Sequence, residues 1–208
     1  LLVAHDRPKV KLVRTLQALY LDPLRARCRQ NGGRVHPGGP VVTLLIDIKS
    51  EADPTYAALR ETLAQYSDIL SRFTATGLEA KAVTVILSGN RPRQMLSREL
   101  SRYCALDGRL PDLEANESPN LVPLISDNWT GAFKWRGLGA FPEEEKLKLK
   151  QIVQKAHGQG RTVRFWATPD RLEVWKELNT AGVDLINTDD LAGLQKFLAS
   201  PERAVIGR

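Results

Sequence analysis

Two short clusters in this 208-residue chain carry side chains suited to acid–base or phosphate chemistry. The first is His5 followed by Asp6, at the end of the apolar run LLVA. A neutral imidazole changes charge near physiological pH, so a histidine ending a strand is a natural general acid or base. The second is Asp47 with Lys49, closing the run VVTLLIDIK. Residues two apart on a strand leave the same face, which puts a carboxylate and an ammonium side by side at its C-terminal end. The carboxylate could hold a hard cation and the ammonium could neutralise a phosphate. The ordinary alternative is an ion pair that closes a strand and does no chemistry. His157, in KAHGQG, fits capping or packing at a helix end better than reaction, and His36 lies in an exposed Gly and Pro loop. Trp166, after an arginine and an aromatic in RFWATPD, reads by itself as core.

These residues need a scaffold, and the spacing of apolar residues supplies one. Residues 41–49 read as a central strand buried on both faces, as in a parallel sheet covered by helices. Residues 83–87, 103–106, 121–125, 163–167 and 185–186 read as further strands, each running into polar residues: SGNRP, DGR, SDNW, TPD and NTDD. Between them lie helical patterns. Asp53 and Pro54 open one whose apolar positions Tyr56, Leu59, Leu63, Tyr66, Leu70 and Phe73 fall three and four apart, until Gly77. Asp22 and Pro23 start another, which Asn31, Gly32 and Gly33 stop. Pro142 precedes a third, with Glu143, Glu144 and Glu145 in its first turn and lysines later, an order that suits the helix dipole; its charges read as a solvated face. The opening residues 1–4 read as an edge strand. Strands alternating with helices predict a parallel α/β sheet, and polar residues at one end of every strand favour a barrel. The turn at Ser88 to Pro92 has the composition to hold an anion at a helix start.

Composition narrows the function classes. With 42% hydrophobic residues the chain can bury one sizeable core, so residues 1–208 are expected to form a single domain. The balance of 30 Lys plus Arg against 24 Asp plus Glu, a net +6, permits attraction to phosphates or to an anionic membrane surface. No basic strand is interleaved with base-stacking aromatics, so nucleic acid is not an expected partner. The two cysteines, Cys28 and Cys104, sit in unrelated contexts and form neither a metal motif nor a disulfide framework; both read as packing residues. No apolar run reaches the ~18 residues of a membrane span.

The segments LLVAHD, LLIDIKS, RFWATPD and GVDLINTDD, in this order, resemble the barrel phosphodiesterase superfamily. That superfamily contains glycerophosphodiester phosphodiesterases, phosphatidylinositol-specific phospholipase C and the spider-venom phospholipase D enzymes. YLDPL, SGNRP, DGRL, ISDNW and GVDLINTDDL are similar to segments of its altered-inheritance-of-mitochondria branch. The resemblance implies a TIM-type (β/α)8 barrel that cleaves a glycerophosphodiester- or phospholipid-type P–O bond. It further implies His5 as one of two acid–base histidines, Asp47 as a ligand of one divalent metal, Mg or Ca, and Lys49 as a phosphate contact. Trp166 and Asn187 occupy the places of substrate-bordering residues in the venom enzymes.

The family's first histidine and its Glu-x-Asp metal pair would precede Leu1, so the β1-α1-β2 portion of the barrel is expected to be missing from this chain. Residues 1–6 would then form the second arm of a hairpin. A secreted or periplasmic location is expected only if that portion carries a signal peptide. The reading competes with a barrel of the same fold that binds phosphate or lipid without turnover. All five residues, His5, Asp47, Lys49, Trp166 and Asn187, are expected at the C-terminal mouth of the strands.

Overall fold

The computed structural model describes residues 1–115 and 117–200. The chain divides into two compact units, Leu1–Leu106 and Asp107–Arg208. The fold is α/β, and its main strands run parallel.

In the first unit, helix α1 (Asp22–Gln30) follows a wider π-helical turn, Gln17–Leu21, at whose start the Thr15 hydroxyl accepts the Ala18 N–H. Strand β1 (Val42–Ile48) leads into α2 (Ala52–Ala64). Then come two short strands, β2 (Arg72–Thr74) and β3 (Gly77–Glu79), before β4 (Val83–Gly89) and α3 (Arg93–Arg98). Strands β5 (Ser101–Arg102) and β6 (Cys104–Gly108) follow, and β6 carries the chain into the second unit. Strand β4 pairs in parallel with β1 on one side and with β6 on the other. Its Val83, Val85, Ile86 and Leu87 are buried, with Tyr56, Leu59 and Leu63 of α2 also in the core.

Three expectations are corrected here. The helix pattern read as far as Phe73 stops at Ala64; Tyr66, Leu70 and Phe73 are buried as foreseen, but in turns and in β2. Apolar spacing reports burial, and a chain that turns inside the core keeps burial while losing the helix. Strands β3, β2 and β5 form a small antiparallel sheet, too short and too polar for the pattern to disclose. Strand β1 is not a central strand buried on both faces. Among the described residues it pairs only with β4, and Leu44, Leu45 and Ile46 stay half-buried along a groove. The opening residues likewise make no strand of the parallel sheet: Leu2 forms a single antiparallel bridge to Thr15, with Val3 N–H donating to Arg14 O and Leu16 N–H to Leu1 O.

In the second unit, β7 (Leu124–Asn128) pairs with the end of β6, then with β8 (Thr162–Trp166), which pairs with β9 (Leu185–Ile186), all parallel. Helices α4 (Trp129–Ala132), α5 (Glu143–Gly158), α6 (Leu172–Ala181) and α7 (Leu191–Ala199) fill the connections. The acidic first turn and basic last turn of α5 stand where expected, but its charges are not all solvated. The Glu145 carboxylate accepts the N–H groups of Lys134 and Trp135, and Lys148 donates to Ala132 O, so two of them tie down the preceding loop. Alternation along β8 buries Val163 and Phe165 and turns Arg164 and Trp166 to the other face. Phe165 meets Trp129 and Phe133 edge-on at 5.6 and 5.4 Å.

Both thiols are packing residues: Cys28 and Cys104 are buried and unpaired, and burial pushes Cys104 up to about 12. Among the described residues no helix is long and apolar enough to cross a membrane.

Candidate active site

The end of β1 is built as its sequence dictates. Ile48 points into the core, so Asp47 and Lys49 share the opposite face, and Lys49 Nζ lies 2.8 Å from Asp47 Oδ2. The loop that follows is braced from the neighbouring strand end: Asn90 N–H donates to Ile48 O at 2.9 Å and Asn90 Nδ2 to Ser50 O at 2.8 Å. The Ser50 and Thr55 hydroxyls, 2.6 Å apart, tie the loop to the first turn of α2. The polar turn after β4 thus positions β1's end.

Gly89, opposite Ile48 in the strand register, has φ +70°, and a Cβ there would collide with the Asp47 carboxylate and the Ile48 carbonyl. Only glycine meets both demands cheaply. Gly89→Ala is expected to destabilise the protein by about 1–3 kcal/mol through crowding and left-handed strain. Urea denaturation reads it, and an unchanged midpoint would show that Asp47 is not held against this backbone.

His5 lines the same groove. Its Nδ1 is 3.0 Å from Asp6 Oδ1, and Lys9 Nζ is 3.1 Å from Asp6 Oδ2. Hydrogen bonds from Lys9 and His5, helped by the charges of His5 and Lys49, hold the Asp6 carboxyl below its ordinary value. An ionised carboxylate only accepts, so His5 Nδ1 carries the proton in this bond, and in the neutral imidazole Nε2 then presents a lone pair. With a side chain 82% exposed, His5 is open to a ligand. The groove, about 870 Å³, is lined by His5, Asp6, Asp47 and Lys49 together with apolar residues, among them Val3, Leu16, Leu44 and Ile46. The structure therefore brings His5, Asp47 and Lys49 to one groove, with no direct hydrogen bond from His5 to the other two.

Trp166 and Asn187 lie in the second unit. Trp166 is 38% exposed at the end of β8, outside the core where its sequence context put it. The next residue, Ala167, has φ +56°, a conformation costly for a side chain with a Cβ and one that gathers at functional sites. The Thr168 hydroxyl donates to Asn187 O at 2.8 Å, and Arg164 donates to Asn187 Oδ1. Beside these, Arg109 pairs with the buried Asp107 at 2.8 Å. Neither Arg164 nor Asp107 stood out in the sequence; the available signal was a charged residue within an otherwise apolar strand. His157 Nε2 is 2.9 Å from Asp184 Oδ2, which also accepts the Val163 N–H, in keeping with the structural role read for it.

Among the described residues no group of three or more His, Cys, Asp or Glu side chains is placed to hold a metal ion. Asp47 offers one carboxylate, already neutralised by Lys49, and that set alone does not suit a hard cation, which takes six or more oxygens or waters.

Residues 162–192, which span β8, α6 and β9, match the sequence model of the glycerophosphoryl diester phosphodiesterase family, a match that supports a phosphodiesterase-type fold for this part of the chain. Over nearly its whole length the chain is similar to Altered inheritance of mitochondria protein 6 of Eremothecium gossypii, with 28% identity over 95% of the chain. It is also similar to the Altered inheritance of mitochondria protein 6 homolog of Arthroderma benhamiae, with 25% identity over 92%. These matches bear out the resemblance read from the sequence. The chain spans 59% of the length of the first relative and 68% of the second. No solved structure matches significantly.

Proposed function

We propose that the protein is a phosphoric diester hydrolase, or a lyase forming a cyclic phosphate, acting on a glycerophosphodiester- or phospholipid-type substrate. The observation that carries this reading is the groove shared by His5, Asp47 and Lys49. A phosphodiester is anionic and repels nucleophiles. Lys49 lowers that barrier by charge, and His5, with Nδ1 held by Asp6, takes or delivers the proton at Nε2. Trp166 and Asn187 contact the substrate. In this reading the parallel β/α units are part of a TIM-type (β/α)8 barrel in a single domain, and the net charge of +6 favours peripheral contact with anionic lipid over nucleic acid.

A divalent ion, Mg or Ca, would take Asp47 as one ligand and supply positive charge to the phosphate; the described residues do not complete its site. A second reading is a barrel of the same fold that binds phosphate or lipid without turnover.

The whole protein, assayed on a chromogenic phosphodiester, is expected to lose activity to a chelator. Asp47→Asn should weaken magnesium or calcium binding in calorimetric titration, whereas Lys49→Met should keep the metal and lower turnover by roughly 10²-fold. Activity indifferent to chelation, or unchanged metal affinity in the Asn variant, would remove Asp47 from the ligands; no turnover at all, with phosphate still bound, would establish the second reading.

A further inference from the structure

We infer that the turn at residues 11–14 docks the protein on an anionic phospholipid bilayer, with Leu12 and Val13 entering the headgroup boundary and the cations around them meeting the negative head groups. The inference deepens the lipid reading above and rests on it only for the choice of a bilayer among apolar partners.

Leu12 and Val13 are 84% and 80% exposed, the highest values for large apolar side chains among the described residues. Lone exposed apolar residues are commonplace and need no explanation. These two adjoin, and they stand where polar residues are expected. The Arg14 N–H donates to Lys11 O at 3.0 Å, so Leu12 and Val13 fill the central positions of a tight turn, a place that Gly, Pro, Asn, Asp and Ser ordinarily take. The turn is anchored from within the unit. Val3 N–H donates to Arg14 O at 2.8 Å, Leu2 bridges Thr15, and Leu16 is buried. A tip so anchored holds both side chains out in water, and burying them in an apolar environment is favourable.

Charge selects that environment. Residues 7–14 carry Arg7, Lys9, Lys11 and Arg14 and no acidic residue. Lys9 pairs with Asp6 at 3.1 Å, whereas the exposed side chains of Arg7, Lys11 and Arg14 make no ion pair or hydrogen bond among the described residues. Cations beside an exposed apolar tip match a bilayer with a negative surface: the tip enters the boundary of head groups and acyl chains while the cations stay with the head groups. Nucleic acid would satisfy the cations alone, since a phosphate backbone gives Leu12 and Val13 no apolar surface to enter. Position agrees. Val10, 44% exposed, lines the groove together with Leu2, Arg7, Tyr20 and His5, so the tip lies two residues along the chain from the groove wall. A protein held by this turn keeps that groove close to the lipid surface.

The test is co-sedimentation of the whole protein with vesicles of equimolar phosphatidylcholine and phosphatidylserine, and with vesicles of phosphatidylcholine alone. The anionic vesicles are expected to bind about tenfold more tightly or better, with the difference shrinking as salt is added. Lys11→Gln combined with Arg14→Gln should weaken that binding by roughly tenfold to thirtyfold, as for two charges near the surface. Leu12→Ser combined with Val13→Ser should weaken it by about tenfold or more through lost apolar burial. All four side chains are exposed and outside the groove, so both variants should keep the melting temperature and the hydrolysis of a soluble chromogenic phosphodiester. Insertion is read by an environment-sensitive dye on Leu12→Cys, Cys28 and Cys104 being buried; its emission should shift to the blue on anionic vesicles. Equal binding of both vesicle types, full binding by the Leu12→Ser, Val13→Ser variant, or a dye that stays in water would overturn the inference. So would a concentration-dependent dimer that dissociates in that variant, since the tip would then belong to a second copy of this chain. Vesicle binding through the turn in a protein without turnover would leave the inference standing and end the hydrolase reading. Turnover of the soluble substrate with no binding to either vesicle would do the reverse.

Discussion

Replacing His5 by alanine in the whole protein is expected to lower kcat by about 10²–10⁴-fold, the range contributed by a positioned acid or base, with the melting temperature unchanged. The two halves of that expectation have separate grounds. The imidazole is 82% exposed and makes one side-chain hydrogen bond, to the adjacent Asp6, so its removal costs the fold almost nothing. Nε2, however, is the ring nitrogen left open to the groove by the bond at Nδ1, whereas Lys49 and Asp47 are engaged with each other. Asp6→Asn should give a smaller fall and alter the pH profile of kcat, because the amide no longer holds the proton on Nδ1. Full activity in His5→Ala would remove acid–base chemistry from this groove, whatever the metal requirement proved to be.

The largest expected loss of stability falls at Trp129. This indole is fully buried and packs on Phe133 at 4.3 Å, on Phe165 at 5.6 Å and on Phe141 at 6.0 Å. Its Nε1 donates to Trp135 O at 2.9 Å. Trp129→Ala is expected to cost about 3–5 kcal/mol, from lost transfer energy and the cavity left behind. The consequence reaches the candidate substrate residues, because Phe165 lies between Arg164 and Trp166 on β8 and its packing fixes where their side chains point. The Trp166 indole resonance should therefore shift or broaden in the variant under native conditions, and denaturant titration should show the lowered midpoint. Trp129→Phe, which refills most of the volume, should recover much of the loss; a Trp129→Ala variant of wild-type stability would mean that this aromatic cluster does not hold the strand.

Much of this was legible in the chain itself, for a physical reason. Parallel strands are buried on their sheet faces and emerge into solvent at their ends, so six apolar runs, each followed by polar residues, spelled out the β/α succession and the strand-end positions of Asp47 and Asn187. The two-residue period of a strand put Asp47 beside Lys49, and their contact follows from geometry local to that strand.

Tertiary structure decided what local pattern cannot carry. An apolar run reports that a strand avoids water, not how many neighbours it has, and so β1 read as central although only β4 pairs with it. Likewise the apolar spacing up to Phe73 reported burial after the helix had ended, because the core does not distinguish a helix face from a turn. Trp166 and Phe165 are adjacent aromatics on one strand; which of them joins the core depended on the register against β7 and on the ring cluster around Trp129. The surroundings of Arg164 were invisible for the same reason: Ser126 and Asn187, which accept from its guanidinium, are distant in sequence and are brought beside it by parallel pairing.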